Sequence, residues 1–183
     1  MIAMSRARGL FLAGALLVGA VVVGGTAWAA SITCTVGVNC VGTNGADVLK
    51  GTASDDSPVA GLGGNDTVYG GRGDDKLFGD DGPPRNDDGN DQVYGGPGAD
   101  VLTDNGGGDL LVGGGGNDTI WALGDKSASN PGEDTVKGGK GNDLINSVDG
   151  YKDTIDCGGG KDDVTFDKNL DKVASNCEKQ HPV

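Results

Sequence analysis

The sequence predicts a repeat structure, in which many short units stack on one another instead of folding around one globular core. A nine-residue period runs without spacers over residues 95–121, as GGPGADVLT, DNGGGDLLV and GGGGNDTIW. Glycine accounts for 37 of the 183 residues and aromatic residues for 4%, so few side chains are large enough to fill an ordinary globular core. A self-similar period is typical of proteins in which successive repeats stack into one continuous body.

The units carry the same marks at fixed places. Each has a glycine-rich opening, an Asp in sixth place and a large aliphatic residue in eighth place. This pattern, G-G-x-G-x-D-x-U-x with U a large apolar residue, resembles the nonapeptide repeat of the RTX (repeats-in-toxin, haemolysin-type calcium-binding) family. The resemblance implies an all-β fold, a right-handed parallel β-roll or β-solenoid, with several calcium ions bound in its turns.

The pattern continues through twelve units over residues 42–165. If two units form one coil, as in the family, the array makes about six two-strand coils. The second unit (51–60) is degenerate and the eleventh (147–156) is weak, so both are expected to coordinate poorly. Units five and nine each carry seven extra residues, around Pro83-Pro84 and Asn130-Pro131. Because odd and even units occupy opposite edges of a roll, both insertions are expected to project from the odd edge.

The repeated residue types suit a hard cation. Glycine freely adopts the positive φ that a turn needs to wrap its carbonyl groups around an ion, and calcium takes six to eight oxygen ligands. The expected ligands are the sixth-place residues Asp47, Asp66, Asp75, Asp91, Asp100, Asp109, Asp118, Asp134, Asp143, Asp153 and Asp162. Backbone carbonyls are expected from the turns that open at Gly61, Gly70, Gly95, Gly113 and Gly138. The even edge keeps its Asp residues in nearly unbroken register, so it is expected to be the better calcium column.

The eighth-place side chains are expected to stack into one thin inner ladder, which includes Val68, Leu77, Val93, Leu102, Leu111, Ile120, Val136, Ile145, Ile155 and Val164. One fully buried aliphatic side chain stabilises the fold by roughly 1.5–3 kcal/mol. Ordering each residue costs about 1–2 kcal/mol, and stacked carboxylates repel one another. The sequence therefore predicts a chain that is largely disordered without metal and that folds when a divalent cation binds.

The charge also selects the partners. The formal net charge is −13, and of 27 acidic residues only Glu133 and Glu178 are not Asp. So acidic a chain is not expected to bind nucleic acid, because such binding depends on Lys and Arg at phosphates. A cation is the natural partner.

The N-terminal residues 1–29 have the features of a cleaved secretory signal peptide. Arg6 and Arg8 give a basic start, an apolar run follows, and Ala27-Trp28-Ala29 offers small residues where a signal peptidase cuts. The alternative is a retained membrane anchor, but the apolar run is shorter than the about 20 residues that a spanning helix needs. The mature chain is thus expected to begin near Ala30, outside the cell, with no membrane span.

Four cysteines fit an oxidising compartment. Proximity in sequence favours the disulfides Cys34–Cys40 and Cys157–Cys177. The first is expected to fasten an N-terminal cap, residues 30–41, and the second a C-terminal cap, residues 166–183. Caps of this kind shield the end coils of solenoids.

No catalytic constellation accompanies the repeats. The sequence has no H-E-x-x-H, no G-x-S-x-G and a single histidine, His181. The expected function is calcium binding after export, without catalysis. Two alternatives stay open: a cell-surface or matrix adhesion module whose partner contacts the two insertions, and the remnant of an RTX toxin or extracellular enzyme. Aromatic residues in ninth place, such as Tyr69, Phe78, Tyr94 and Trp121, are expected to pack between coils.

Overall fold

The computed structural model describes residues 29–80, 89–124 and 132–183. All regular secondary structure in these residues is β-strand, and none of them form a helix long and apolar enough to cross a membrane. The predicted signal peptide, apart from Ala29, lies outside the described residues. So do the extra residues of the two insertions.

The strands are short and evenly spaced along the chain. Strands β1 to β8 are Ser31–Thr33, Cys40–Val41, Val48–Lys50, Val59–Ala60, Thr67–Tyr69, Lys76–Phe78, Gln92–Pro97 and Val101–Asn105. Strands β9 to β16 are Leu110–Gly115, Thr119–Leu123, Thr135–Lys140, Leu144–Ser147, Thr154–Gly159, Asp163–Phe166, Lys172–Val173 and Lys179–Pro182.

Successive strands alternate between two parallel sheets. The odd-numbered strands form one eight-stranded sheet in the order β1 to β15, and the even-numbered strands form the other from β2 to β16. Each strand therefore pairs with the strand two positions along the chain, which is the arrangement of a solenoid. The predicted fold class, an all-β parallel β-solenoid, is confirmed.

Each repeat unit ends in one strand, so the twelve units supply β3 to β14 in order. The register aligns equal places of the repeat: Ile120 lies beside Leu102 on one side and Ile145 on the other. The flanking segments continue the pattern with β1, β2, β15 and β16, which brings the solenoid to about seven turns. Strands β1 and β15 carry apolar residues that pack on the core: Ile32 lies beside Leu49, and Val173 lies beside Ile155. Strand β16 is exposed throughout and joins by pairing with β14.

The eighth-place side chains form the core. Every one predicted for the inner ladder is at most 1% exposed. The structure divides them between the sheets, because consecutive units alternate, so there are two ladders packed into one cluster instead of a single ladder. The odd sheet contributes Leu49, Val68, Val93, Leu111, Val136 and Ile155, and the even sheet contributes Val59, Leu77, Leu102, Ile120, Ile145 and Val164.

Both predicted disulfides are present. Cys34–Cys40 has a Cα–Cα distance of 5.4 Å and links the ends of β1 and β2, and Cys157–Cys177 has a Cα–Cα distance of 5.2 Å. All four cysteines join the buried apolar cluster. The bridges thus lie at the two ends of the solenoid, where the apolar ladders stop.

Two of the ninth-place aromatic residues pack between coils as predicted. The rings of Tyr69 on β5 and Tyr94 on β7 stack with their centroids 5.1 Å apart. Trp121 on β10 remains 38% exposed.

Candidate metal centre

The sixth-place Asp residues form two stacked columns, one at the start of each sheet's strands. The odd column is Asp47, Asp66, Asp91, Asp109, Asp134 and Asp153, and the even column is Asp56, Asp75, Asp100, Asp118, Asp143 and Asp162. Each of these residues is at most 3% exposed. All eleven predicted carboxylate ligands therefore lie in the columns, and Asp56 is an addition.

In both columns, one carboxylate oxygen accepts a backbone hydrogen bond that links neighbouring coils. The backbone N–H of Asp100 donates to Asp118 Oδ1 at 2.8 Å, and the N–H of Asp118 donates to Asp143 Oδ1 at 2.9 Å. The same bond recurs throughout both columns at distances from 2.7 to 2.9 Å. These hydrogen bonds position each side chain so that its second oxygen points into the turn.

That second oxygen has no hydrogen-bond partner in most units. The buried Oδ2 atoms without a partner belong to Asp66, Asp75, Asp100, Asp109, Asp118, Asp143 and Asp162. Leaving a buried acceptor unsatisfied costs about 1–3 kcal/mol, and more for a charged group. So regular a repetition of this cost indicates a ligand that the carboxylates share.

In three units the second carboxylate oxygen does have a hydrogen-bond partner. Thr52 donates its backbone N–H to Asp56 Oδ2 at 2.6 Å, and the Ser147 hydroxyl donates to Asp153 Oδ2. Thr43 binds Asp47 Oδ2 in the same way. In the first, second and eleventh units, a Thr or Ser residue thus donates a hydrogen bond, from its backbone N–H or its hydroxyl, to the oxygen that is unpartnered elsewhere.

In the units that open with a regular glycine turn, a backbone carbonyl oxygen lies beside the second carboxylate oxygen. A Cβ added to Gly70 would stand 2.5 Å from Asp75 Oδ2 and 2.7 Å from the carbonyl oxygen of Gly95 in the next coil. The carbonyl oxygens of all five predicted glycines face a first-place glycine one coil earlier, four of them at the even edge and only that of Gly61 at the odd edge: Gly61, Gly70, Gly95, Gly113 and Gly138. Because first-place glycine has no side chain, a carboxylate oxygen and a backbone carbonyl oxygen can both face the space beside it.

The turns of the even edge share one backbone geometry. In every even unit from the fourth to the twelfth, the glycines in second and fourth place have positive φ. In the sixth unit, for example, Gly96 has φ 113° and Gly98 has φ 152°. The odd edge is less uniform, since Leu62 takes a φ of 91° in second place there. This regularity agrees with the nearly unbroken register of the even edge, but which edge binds calcium better stays a prediction.

Burial sets the electrostatics of the columns. It raises the pKa of Asp118 to about 7 and that of Asp66 to about 8, while backbone N–H donors lower both and neighbouring carboxylates raise them. Burial together with the charge of Asp134 raises the pKa of Asp109 to about 9. A cation among these carboxylates would favour the ionised form that burial disfavours.

Two groups of carboxylates are denser than the columns themselves. Asp80, Asp91 and Asp104 form one, and Asp134, Asp149 and Asp153 form the other; in each group one oxygen per residue lies within 4.8 Å of the others. Both groups lie at the odd edge. Sequence analysis did not single out Asp80, Asp104 or Asp149, because none of them stands in sixth place of a unit.

This donor set fits calcium. Calcium is bound by carboxylate and backbone carbonyl oxygens, and both are present in stacked turns with unpartnered buried carboxylate oxygens. The fold and the site together define a class of protein, a parallel β-solenoid with acidic, glycine-rich turns suited to hard divalent cations.

Comparison with known proteins identifies the family. The RTX calcium-binding nonapeptide repeat family matches the chain in four copies, over residues 41–57, 59–83, 86–120 and 129–150. These copies cover more than half of the chain, and the protein therefore belongs to this family. No curated protein and no solved structure gives a significant match. Beyond the last matched copy, β13 and β14 continue the same register as the repeats before them.

Proposed function

We propose that the protein is a secreted calcium-binding protein without a catalytic domain, whose nonapeptide turns bind several calcium ions and which folds on export. The observation that carries the proposal is the series of buried, unpartnered Oδ2 atoms in two columns of stacked turns. The two disulfides support an oxidising, extracellular setting.

The chain's own residues set up the sites in three ways. Backbone N–H groups hold each Asp by its Oδ1 atom, which frees Oδ2 to face the turn. First-place glycines admit the carbonyl of the next coil to the same space. Burial excludes water from the carboxylates and strengthens every charge interaction among them. Calcium would supply the positive charge that lets the columns ionise and stack, so its binding energy would also be folding energy.

A calcium titration tests this function. We expect the metal-free protein to give a coil-like far-UV circular dichroism spectrum and to change cooperatively to a β-sheet spectrum as calcium is added. The midpoint should fall near 10⁻⁴–10⁻³ M, the range of extracellular calcium modules. Magnesium at equal concentration should not replace calcium, since it demands a smaller, octahedral site. A protein that is fully folded in chelator, or that calcium leaves unfolded, would contradict the proposal.

Asp118→Asn separates the metal-facing oxygen from the hydrogen-bonding one. Asparagine retains an oxygen that can accept the Asp100 N–H, but it replaces Oδ2 by an amide nitrogen. In saturating calcium we expect the free energy of unfolding to fall by about 1–3 kcal/mol, because Oδ2, the buried oxygen that would bind calcium, is lost. In chelator we expect no loss of residual β-structure relative to the wild-type protein, because one charge of a repelling column has been removed.

The matched control is Asp156→Asn, which removes a carboxylate exposed on β13. Its effect on the calcium midpoint should be within error. Chemical unfolding in saturating calcium, together with the calcium titration followed by circular dichroism, measures both variants. A calcium midpoint for Asp118→Asn equal to that of the wild-type protein would show that its carboxylate has only a structural role.

A further inference from the structure

Asp104 departs from the repeat in a way that changes the site. It stands in first place of the seventh unit, where most units have glycine, and it is 1% exposed at the end of β8. Its Oδ1 atom accepts the backbone N–H of Asp80 at 3.2 Å and that of Asn105 at 2.9 Å. These bonds fix the carboxylate against the fifth unit, one coil earlier.

The carboxylates of Asp104 and Asp91 converge above Gly79. A Cβ added to Gly79 would lie 2.5 Å from Asp91 Oδ2 and in contact with Asp104 Oδ2, which is the cradle that other units offer to a single carboxylate. One oxygen each from Asp80, Asp91 and Asp104 lies within 4.8 Å of the other two. Two ligands on opposite sides of a calcium ion are about 4.8 Å apart, so one ion can contact all three.

The Oδ2 atom of Asp104 is buried and has no hydrogen-bond partner, and neither has Oδ2 of the nearby Asp109. Burial raises the pKa of Asp104 well above its usual value, and the charges of Asp109, Asp91 and Asp80 raise it further. The hydrogen bonds from Asp80 and Asn105 both go to Oδ1 of Asp104, so its buried Oδ2 atom is the oxygen that an ion could contact.

The second dense group is held differently. Asp149 accepts the backbone N–H of Gly124 at 2.8 Å through Oδ2 and that of Tyr151 at 2.7 Å through Oδ1. Asp153 accepts the Ser147 hydroxyl and the Asp134 N–H. Both oxygens of Asp149 and of Asp153 thus have donors, in contrast to Asp104, whose Oδ2 atom has none.

We propose that Asp80, Asp91 and Asp104 form a calcium site of higher charge than the ordinary turns, which binds more tightly and fills first. The inference rests on the proposed function, which is calcium binding by the turns. It adds a site in which Asp80 and Asp104, which do not stand in sixth place, join the sixth-place residue Asp91. Calcium affinity rises with the number of charged ligands at a site. Because the three residues come from the fifth and seventh units, the ion would clamp two coils beside the first insertion.

Bound calcium per chain, measured by atomic absorption after dialysis against chelator-buffered calcium, tests the site. For the wild-type protein we expect one calcium per chain at a free concentration about tenfold or more below that at which the others bind. Asp104→Asn should abolish this step while the later uptake is retained. Asp104→Gly restores the repeat pattern at this position, so it should fold and also lack the step.

Asp143→Asn is the matched control, because it removes one equally buried carboxylate from the even column. It should reduce the later uptake and leave the first calcium in place. A wild-type protein whose calcium ions all bind in one step, or Asp104 variants that keep a separate first step, would overturn the tight site and leave the proposed function standing. Absence of any calcium uptake would refute both.

Discussion

Glycine in first place of a unit provides space more than conformational freedom. Gly70 is an example, since it has no positive φ. Its open side faces Asp75 Oδ2, the Gly95 carbonyl oxygen and Leu77 Cδ1, which would lie 2.5, 2.7 and 3.1 Å from an added Cβ. A side chain at this position would push apart the two oxygens that face the turn.

Gly70→Ala should therefore destabilise the calcium-bound protein by about 1–3 kcal/mol, the usual cost of overpacking, because the Gly95 backbone cannot move away cheaply. Gly115→Ala is the control, since a Cβ at Gly115 meets nothing within 4 Å. It should be neutral or slightly stabilising. Thermal unfolding in saturating calcium compares the two, and equal shifts would refute a role for the first-place cavity.

Single residues also show how far the sequence could predict the site. The sixth-place pattern placed Asp75 and its equivalents correctly, because the period fixes which residue stands before each strand. Asp56 was missed because the irregular unit around it obscured its sixth place. Asp104 was missed as a ligand because it stands in first place of its unit, where the pattern expects glycine. Its contact with Asp80 depends on how one coil lies on the next, which a one-dimensional pattern does not give.

At the scale of strands, the alternation of buried and exposed places determines which substitutions matter. On β12, Leu144 is 48% exposed and Ile145 is 0% exposed, although the two are adjacent and both aliphatic. The period predicted this difference from the eighth-place rule alone. It did not predict that β1, β2, β15 and β16 would extend the sheets. Those strands lie outside the nine-residue repeat, and pairing with a neighbouring strand defines them.

Ile145→Ala should cost about 2–5 kcal/mol, because it opens a cavity in the even ladder between Ile120 and Val164. Leu144→Ala should change the free energy of unfolding by no more than about 0.5 kcal/mol, as expected for a surface position. Denaturant unfolding in saturating calcium distinguishes them. Similar losses for both would mean that β12 does not present these faces.

At the scale of the whole molecule, the stability of the fold depends on the cation that neutralises its carboxylates. The chain has a net charge of −13 and buries two columns of carboxylates. Protons and calcium can both neutralise these columns, but they compete. A proton also removes the charge that calcium needs, so the two agents stabilise the fold under opposite conditions.

The pH dependence should therefore reverse with calcium. In the folded, metal-free state burial raises the pKa from 3.8 to about 6 for Asp75, about 7 for Asp134 and about 9 for Asp109. Raised carboxyl pKa values mean that the folded state holds protons which the unfolded chain has released. Their contribution to stability is thus fully present below about pH 4 and is lost as the pH rises from about 6 to about 9.

Far-UV circular dichroism during heating, in metal-stripped buffer at pH 5 and pH 9, measures this. Without metal we expect more β-structure at pH 5, where protons neutralise part of the columns, than at pH 9, where the ionised chain is expected to be coil-like. In saturating calcium we expect the order to invert, because the ionised carboxylates then bind the ion and acid displaces it. Asp109→Asn, which removes the group with the pKa of about 9, should flatten the metal-free profile at its alkaline end. A metal-free protein that is more stable at pH 9 than at pH 5 would show that the columns are not buried as described. Inversion of the pH dependence by calcium would show that both columns take part in one ion-dependent folding equilibrium.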